Sequence, residues 1–595
     1  MYMQHEIPFK KCRTALITAM VTTAAGLLLT GCKSPLDYQS GGSWMGNLHH
    51  LLETEEIMEH GLSVSAQTTT PDIEAPLVER MDELMALTPV GTDLQWPVLI
   101  STSLGKLPLL TTTITAEEAV QRAVKHNLDL EIARLQPVIS QQTLIEAEAA
   151  FDFVLGAGVS NRRSKIPQQQ TSFGSSPLGS SVSTRDIQSY EASLAKKLTS
   201  GGVFTMSTDL TKTDSKSTGF AYDPNPSWQS IGTIDFKQPL MRGFGEKVVL
   251  AEVKLARNAT NKSIQAFRES LHKVVTDTEI AYLHLALQWR TLQVQEWLLQ
   301  EGESVVEILK LRRAYDTSEA DYAQAVATVK QRETDVISQQ AAVLNASDQL
   351  KKLMNDPGHA IETSSVLAPS GVIEVEDIYV SLRDTILSAA EQRPDLQNLK
   401  LAVDDQSIHV RVAKNARLPQ LDLQAQLSFY GLDSGAGGSY EEVFDRDYLN
   451  HLVGLSYEYP LGNRLANARY KSSRLQRIAS IAAYNKGLQQ VILEVKEAMR
   501  NVATNAKLVS ANKSFRIAQA ENLRALQVEE ETLSGLTPTF LNLKLQTQAG
   551  LANARIAEFT SAVNFNKALA TLYMAAGTTL EMHQISLDDV LTMDP

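Results

Sequence analysis

The sequence predicts an α+β membrane protein written as two internal repeats, each holding a helix, amphipathic strands and a very long helical hairpin. Three observations carry this: self-similarity at fixed offsets, period-two segments about ten residues long, and proline-free stretches with a heptad-like apolar stripe. With 595 residues the chain has length for about three or four ordinary domains. Its 43% hydrophobic content excludes a disordered chain. A net charge of −13 speaks against nucleic acid as a partner, since phosphate binding draws on clustered Lys and Arg. Two cysteines supply neither a disulfide framework nor a Cys-rich zinc site. Beyond the N-terminus no apolar run reaches 18 residues, so a spanning helix is not expected.

The first element is an address. Lys10, Lys11 and Arg13 precede an apolar stretch from Ala15 to Leu29, the form of a secretory signal. It ends in Leu29-Thr30-Gly31-Cys32, which resembles the lipobox of bacterial lipoproteins. That resemblance implies removal of residues 1–31 and acylation of Cys32. The bland alternative is a buried cysteine after an ordinary signal. Lys33, where an Asp marks inner-membrane retention, points to the outer membrane.

The repeat comes next. Ala123, Asp129 and Ala150 fall on Ala389, Asp395 and Ala416 at an offset of 266. Phe236 and Pro239-Leu240 fall on Tyr457 and Pro460-Leu461 at 221, and Met354 falls on Met574 at 220. The drop in offset places about 45 extra residues in the first copy, between Phe151 and Phe236. The expected division is a signal peptide (1–31), an anchor and extended segment (32–111), a first repeat (112–356), a linker (357–376), a second repeat (377–577) and a tail (578–595).

Within each repeat the helices are legible. No proline lies between Leu240 and Asp356, and Gly302 is the lone glycine past Gly245. Phe267, Leu271, Val274, Thr278, Ala281 and Leu285 step alternately by four and three, the spacing of a packed seam. A helix from about Glu246 to Tyr315 would reach on the order of 100 Å. The return, Glu319 to Met354, covers half of that. A break at 355–369 and a second half-length helix, about Val375 to Ala416, complete the other half.

The strands read as barrel staves. Leu421, Leu423, Ala425, Leu427 and Phe429 alternate with polar residues, as do Phe204, Met206, Thr208 and Leu210, and Val453, Leu455, Tyr457 and Tyr459. In Tyr190–Leu198 the apolar face is interrupted by Lys196. One apolar face at period two suits a half-buried sheet or a lipid-facing wall. Aromatics at the segment ends and the outer-membrane address favour the wall. The expected strands are 151–162, 187–198, 203–213 and 228–238 in the first copy, and 421–430 and 451–459 in the second. Residues 163–186 and the Gly-rich 431–450 read as long loops, and Thr199–Gly202 as a tight turn. Six strands do not close a useful pore alone, so an oligomer sharing one barrel is expected.

On these residues the sequence resembles the TolC family of outer-membrane efflux proteins over about 112–577. The carriers are Ala119, Ala123 and Asn127-Leu-Asp-Leu130, Gln238-Pro-Leu240 with Arg242-Gly-Phe-Gly245, Arg417-Leu-Pro-Gln-Leu421, and Ser534-Gly-Leu-Thr-Pro538. The resemblance implies a homotrimer: an outer-membrane β-barrel, continued through the periplasm by a long α-helical barrel. It implies a passive exit duct of tripartite efflux pumps or type I secretion, carrying small molecules or polypeptides. The implied partners are a periplasmic adaptor protein, an inner-membrane transporter reached through it, and outer-membrane lipid. It places adaptor contact at the hairpin tips, Tyr315, Asp316, Thr317, Ser318 and Glu319 in the first and Gly535, Leu536 and Thr537 in the second. Candidate aperture positions are Asp321, Leu541 and Lys544. Two departures stand out. The family usually contributes four strands per protomer, whereas the first copy alone reads as four. An acidic ring on the second hairpin is replaced by Leu541 and Lys544.

No catalytic motif, P-loop or paired-Cys metal spacing is present in the sequence, so no enzyme, cofactor or metal is expected. Gly243-Phe-Gly245 reads as a strand-to-helix junction, His49-His50 as a solvated pair, and His272 and His284 as ordinary interface or surface residues. The rival readings are a surface-anchored structural or adhesive lipoprotein with a helical stalk, and a soluble periplasmic adaptor, which would lack strands before each hairpin.

Overall fold

A computed structural model of the chain describes residues 62–64, 77, 80–87, 111–167, 171–173, 176–178, 182–216, 222–313, 317–371, 375, 378–532, 537–587 and 590. The signal segment, Cys32 and His49-His50 lie outside them. The described strands are β1 (Leu62–Val64), β2 (Thr111–Ile114), β3 (Phe153–Pro167), β4 (Thr171–Phe173), β5 (Ser176–Leu178), β6 (Val182–Lys197), β7 (Val203–Lys216), β8 (Ser227–Pro239), β9 (Val366–Pro369), β10 (Ile378–Val380), β11 (Gln420–Asp433) and β12 (Tyr448–Glu458). None of the described helices is long and apolar enough to cross a membrane.

One compact unit, residues 139–260 and 401–483, carries a six-stranded sheet in the order β12-β11-β8-β7-β6-β3. Every pairing in it is antiparallel. Alternation separates a mainly apolar face from a mainly polar one. One register row crosses the sheet as Leu155, Leu194, Met206, Ile234, Leu427 and His451. On the opposite face a row reads Gly156, Ser193, Ser207, Thr233, Ser428 and Asn450. Lys196 sits among the apolar residues because its ammonium lies 4.1 Å from the centre of the Phe153 ring.

Two expected loops hold more structure. The strands flanking the first run on to Pro167 and start back at Val182, with the short hairpin β4–β5 between them. The Gly-rich 431–450 segment contains a helix, Ala436–Asp445. Its glycines suggested a loop, but Ser439 and Val443 bury one helix face against the sheet. Ser230 Oγ donates to Ser439 Oγ at 2.7 Å, and Thr208 Oγ1 lies 3.1 Å from Tyr440 Oη. A Cβ on Gly431 would fall 1.8 Å from the Ser439 carbonyl oxygen, so only glycine admits this helix.

The other unit, residues 44–138, 261–400 and 484–595, is mostly helical. The seam residues Phe267, Leu271, Val274, Thr278 and Leu285 are buried and Ala281 is half-buried. The return helix is Glu319–Met354, as expected. The expected Val375–Ala416 helix is in fact broken: strand β10 precedes Leu382–Gln392, and a second helix spans Pro394–Asn415. Pro394 has no N–H to donate back and disfavours helical geometry at Arg393, which sits extended. Asn127 makes the corresponding break between Ala116–His126 and Leu128–Ala149. Its Oδ1 accepts from Asp129 N and Leu130 N, capping the second helix.

Stretches of the expected extended N-terminal segment are described in this unit. β1 pairs antiparallel with β10, and β2 pairs parallel with β9. From the helix Met81–Ala86, Leu84 packs against Ile517, Ala520, Leu523 and Leu551.

The lone glycine of the first long helix has a definite role. Arg332, almost wholly buried, donates Nη1 to Leu298 O at 2.7 Å and Nη2 to Leu545 O at 2.8 Å, tying three helices together. Burial pulls its guanidinium down to about 10, against the attraction of Glu301. A Cβ on Gly302 would lie 2.7 Å from Arg332 Nη1 and 3.1 Å from Val329 Cγ2. Gly302→Ala gains about 1 kcal/mol of helix propensity, yet overpacking of a pinned guanidinium costs about 1–3 kcal/mol. The variant is expected to unfold at lower urea concentration than the parent; a higher midpoint would mean that Arg332 shifts freely.

Candidate functional site

Two surfaces hold the residues and motifs singled out in the sequence. The first is the sheet with its strand-to-helix junctions, where the structure brings distant motifs together. Leu240 N donates to Leu421 O at 2.7 Å, Gly243 N to Asn415 Oδ1 at 2.7 Å, and Asn415 Nδ2 to Met241 O at 3.2 Å. Arg242 is hydrogen-bonded to Gln420. The Gln238–Gly245 and Arg417–Leu421 motifs are thus two halves of one junction. Gly243 and Gly245 have φ of 81° and 97°, which turn the chain into the helix Glu246–Val249. Asn463 Nδ2 donates to Arg417 O at 2.8 Å, and the Arg417 guanidinium lies 4.8 Å from the Tyr470 ring centre.

The apolar face of this sheet is uncovered over much of its area. Leu155, Val159 and Val453 are 80%, 76% and 74% exposed. In water, that is a costly arrangement for side chains that usually fill cores. Among the described residues β3 and β12 each pair on one side only, leaving two long unpaired edges.

The second surface is the pair of hairpin ends. Tyr315, Asp316, Gly535 and Leu536 lie outside the described residues. Thr317 is buried, whereas Ser318, Glu319 and Thr537 are exposed. Ser318 and Thr537 cap the return helices, accepting from Asp321 N at 3.1 Å and Phe540 N at 3.2 Å. Pro538 follows at the first helical position, where its missing N–H costs nothing. Asp321 accepts a hydrogen bond from Ser318 Oγ at 2.6 Å. Leu541 is fully buried among Val305, Leu309, Ala325 and Leu526. Lys544 Nζ pairs with Glu530 Oε2 at 2.6 Å, largely out of solvent. Arg313, absent from the sequence reading, grips Glu319 with two hydrogen bonds of 2.8 Å. An Arg and a Glu six positions apart match neither helix nor strand periodicity, so only the fold reveals the clamp.

Among the described residues no three His, Cys, Asp or Glu are grouped to hold a metal ion. His284 is not buried, and His272 is only 4% exposed.

Residues 385–578 match the family model of outer membrane efflux proteins. The TolC-like resemblance of the sequence therefore holds. The chain also shares its fold with solved channels. It is similar to the Campylobacter jejuni CmeC outer membrane channel at 14% identity and a TM-score of 0.55, over 83% of this chain and 95% of that one. For the open state of the Neisseria gonorrhoeae MtrE outer membrane channel the values are 17%, 0.55, 78% and 89%. For the outer membrane protein VceC of Vibrio cholerae they are 16%, 0.54, 78% and 96%. No curated protein matches the chain.

Proposed function

We propose that the protein is a passive, lipid-anchored, trimeric exit duct of a tripartite efflux pump or a type I secretion system. The observation that carries this is the six-stranded antiparallel sheet whose apolar face is bare over much of its area, with both edges unpaired among the described residues. Lipid removes the cost of the bare face, and copies of the chain satisfy the edges, as a spanning β-structure requires. The helix leading into β3 supports the same reading, because Leu128, Ile132, Leu135, Ile139 and Ile145 leave an exposed apolar stripe along it. After β12, Leu461 and Leu465 are likewise exposed. Each flank thus offers a surface for a neighbouring copy in a closed, head-to-tail ring.

In this reading Cys32 carries the acyl anchor in the outer membrane and residues 112–356 and 377–577 are the two repeats. The helices form the periplasmic tube, and an adaptor docks on Tyr315–Glu319 and Gly535–Thr537, linking the duct to an inner-membrane transporter. Asp321, fixed by Ser318, is the aperture group, while Leu541 and Lys544 brace the hairpin from within. Nothing is turned over: the transporter supplies the energy and the duct supplies the path.

The test is photo-crosslinking in cells from Ser318 and from Leu536. A periplasmic adaptor captured at both positions is the expected result. Crosslinks between copies alone, or none, would sink the duct and favour the surface stalk.

A further inference from the structure

The trimeric duct leaves open how many strands line its wall, and the sheet answers that for this chain. Resting on that reading, we propose that three copies close an eighteen-stranded barrel, with β3 of one copy paired to β12 of the next. The twelve-stranded wall implied by the family resemblance would leave out the inserted pair, β6 and β7, and set β3 beside β8, because β3 and β8 are the repeat counterparts of β11 and β12.

The register argues against leaving them out. The rows that begin at Phe153 to Gly158 on β3 run through β6, β7, β8 and β11 to β12 without a missing partner. The added hairpin is also held at its base. Gly245 N donates to Ser200 O at 3.1 Å, and Ser200 Oγ donates to Gln238 Oε1 at 2.8 Å. This seats the β6–β7 turn on the junction that launches the long helix. The fit is close: a Cβ on Gly201, whose φ is 95°, would fall 2.4 Å from the Gly243 carbonyl oxygen. On Gly202 it would fall 2.5 Å from Gln238 Oε1. A hairpin fixed this way is part of the wall.

Closure also follows from direction. All five pairings are antiparallel, so in a six-stranded sheet the first and last strands run oppositely. A neighbour's β3 therefore meets β12 in the same antiparallel sense, and the ladder continues round the ring. The two edges match in character as well. Leu155 and Val159 on β3, and Val453, Leu455 and Tyr457 on β12, are exposed on one and the same face. With strands about 4.8 Å apart and tilted about 40°, eighteen give a backbone diameter of about 36 Å, against about 24 Å for twelve. Less side chains, that passes cargo as wide as two helices side by side, each about 10–12 Å across.

Cysteine pairs in the full-length protein in outer membranes decide the matter. One set combines Leu155→Cys, Ala157→Cys or Val159→Cys with His451→Cys, Val453→Cys or Leu455→Cys. The other combines the same β3 positions with Ile234→Cys or Phe236→Cys on β8. After oxidation with copper phenanthroline, covalent trimers that thiol reduction releases are expected from at least one pair in the first set. No disulfide is expected from the second, because β6 and β7 separate β3 from β8 by three strand spacings, about 14 Å. A disulfide within one copy from the β8 set, seen as a thiol-reversible mobility shift, would mean a twelve-stranded wall: the proposal falls while the duct stands. If the first set links no copies, in protein whose protease resistance equals the parent's, the edges do not meet and the duct reading falls with it.

Discussion

Replacing Glu558 by alanine is expected to cost about 3–5 kcal/mol of folding stability per chain, because it strands buried guanidinium groups. Glu558 Oε2 lies 2.8 Å from Arg516 Nε and also pairs with Arg555 Nη1. The Arg516 and Arg555 side chains keep only 1% and 12% of their exposure. The Arg555 and Arg290 guanidiniums both lie near the Phe559 ring, at 4.3 and 5.5 Å from its centre. Burial lowers the Arg555 pKa, and the charge of Glu558 is the principal force opposing that drop. Three cations thus surround one carboxylate and an aromatic face. Without the carboxylate the desolvation cost remains and the attraction is gone. Glu558→Gln keeps an acceptor without the charge and is expected to fall between parent and alanine variant. Urea unfolding of the three proteins measures the order. An alanine variant within about 1 kcal/mol of the parent would mean that water rehydrates the cluster.

This cluster also marks where the sequence stops being informative. Periodicity exposes what repeats along the chain, so the strands, the seam and the 319–354 helix were legible. Lys196 looked like a break in an apolar face until Phe153 came to lie beneath it. Contacts between positions far apart in sequence leave no such trace. Gly302 stood out as a lone glycine with no stated reason and Arg332 did not stand out at all; their closeness explains the glycine. The 431–450 segment misled for a different reason. Gly437-Gly438 lowers helix propensity, but burial of Ser439 and Val443 on the sheet outweighs it. At the hairpin ends the Arg313–Glu319 clamp joins positions six apart, a spacing that no regular element repeats.

His272 was taken for an ordinary interface or surface residue, and its burial gives the chain an expected acid lability. It lines a cavity of ≈ 300 Å³ with Glu269, Arg393, Asp395, Glu494 and Glu497. Neither of its ring nitrogens has a hydrogen-bond partner among the described residues. Arg393 is engaged by Asp395 and Glu494 at 2.8 and 2.5 Å, so those carboxylates are committed elsewhere. Desolvation, aided by the charge of Arg268, pushes the imidazole down to about 4. The sign follows from linkage. The unfolded chain, with a His pKa of about 6.5, takes up a proton that the folded chain refuses until about pH 4. Stability from this group is therefore full above pH 6.5 and falls as pH drops through that window. At pH 4.5 the loss is about 2–3 kcal/mol per chain. His272→Leu keeps a similar volume and removes the titration. The difference in unfolding free energy between pH 7.5 and 4.5 is expected to shrink by that amount in the variant. An unchanged difference would mean that His272 is protonated in the folded protein, with Glu269 or Glu497 as its counter-charge.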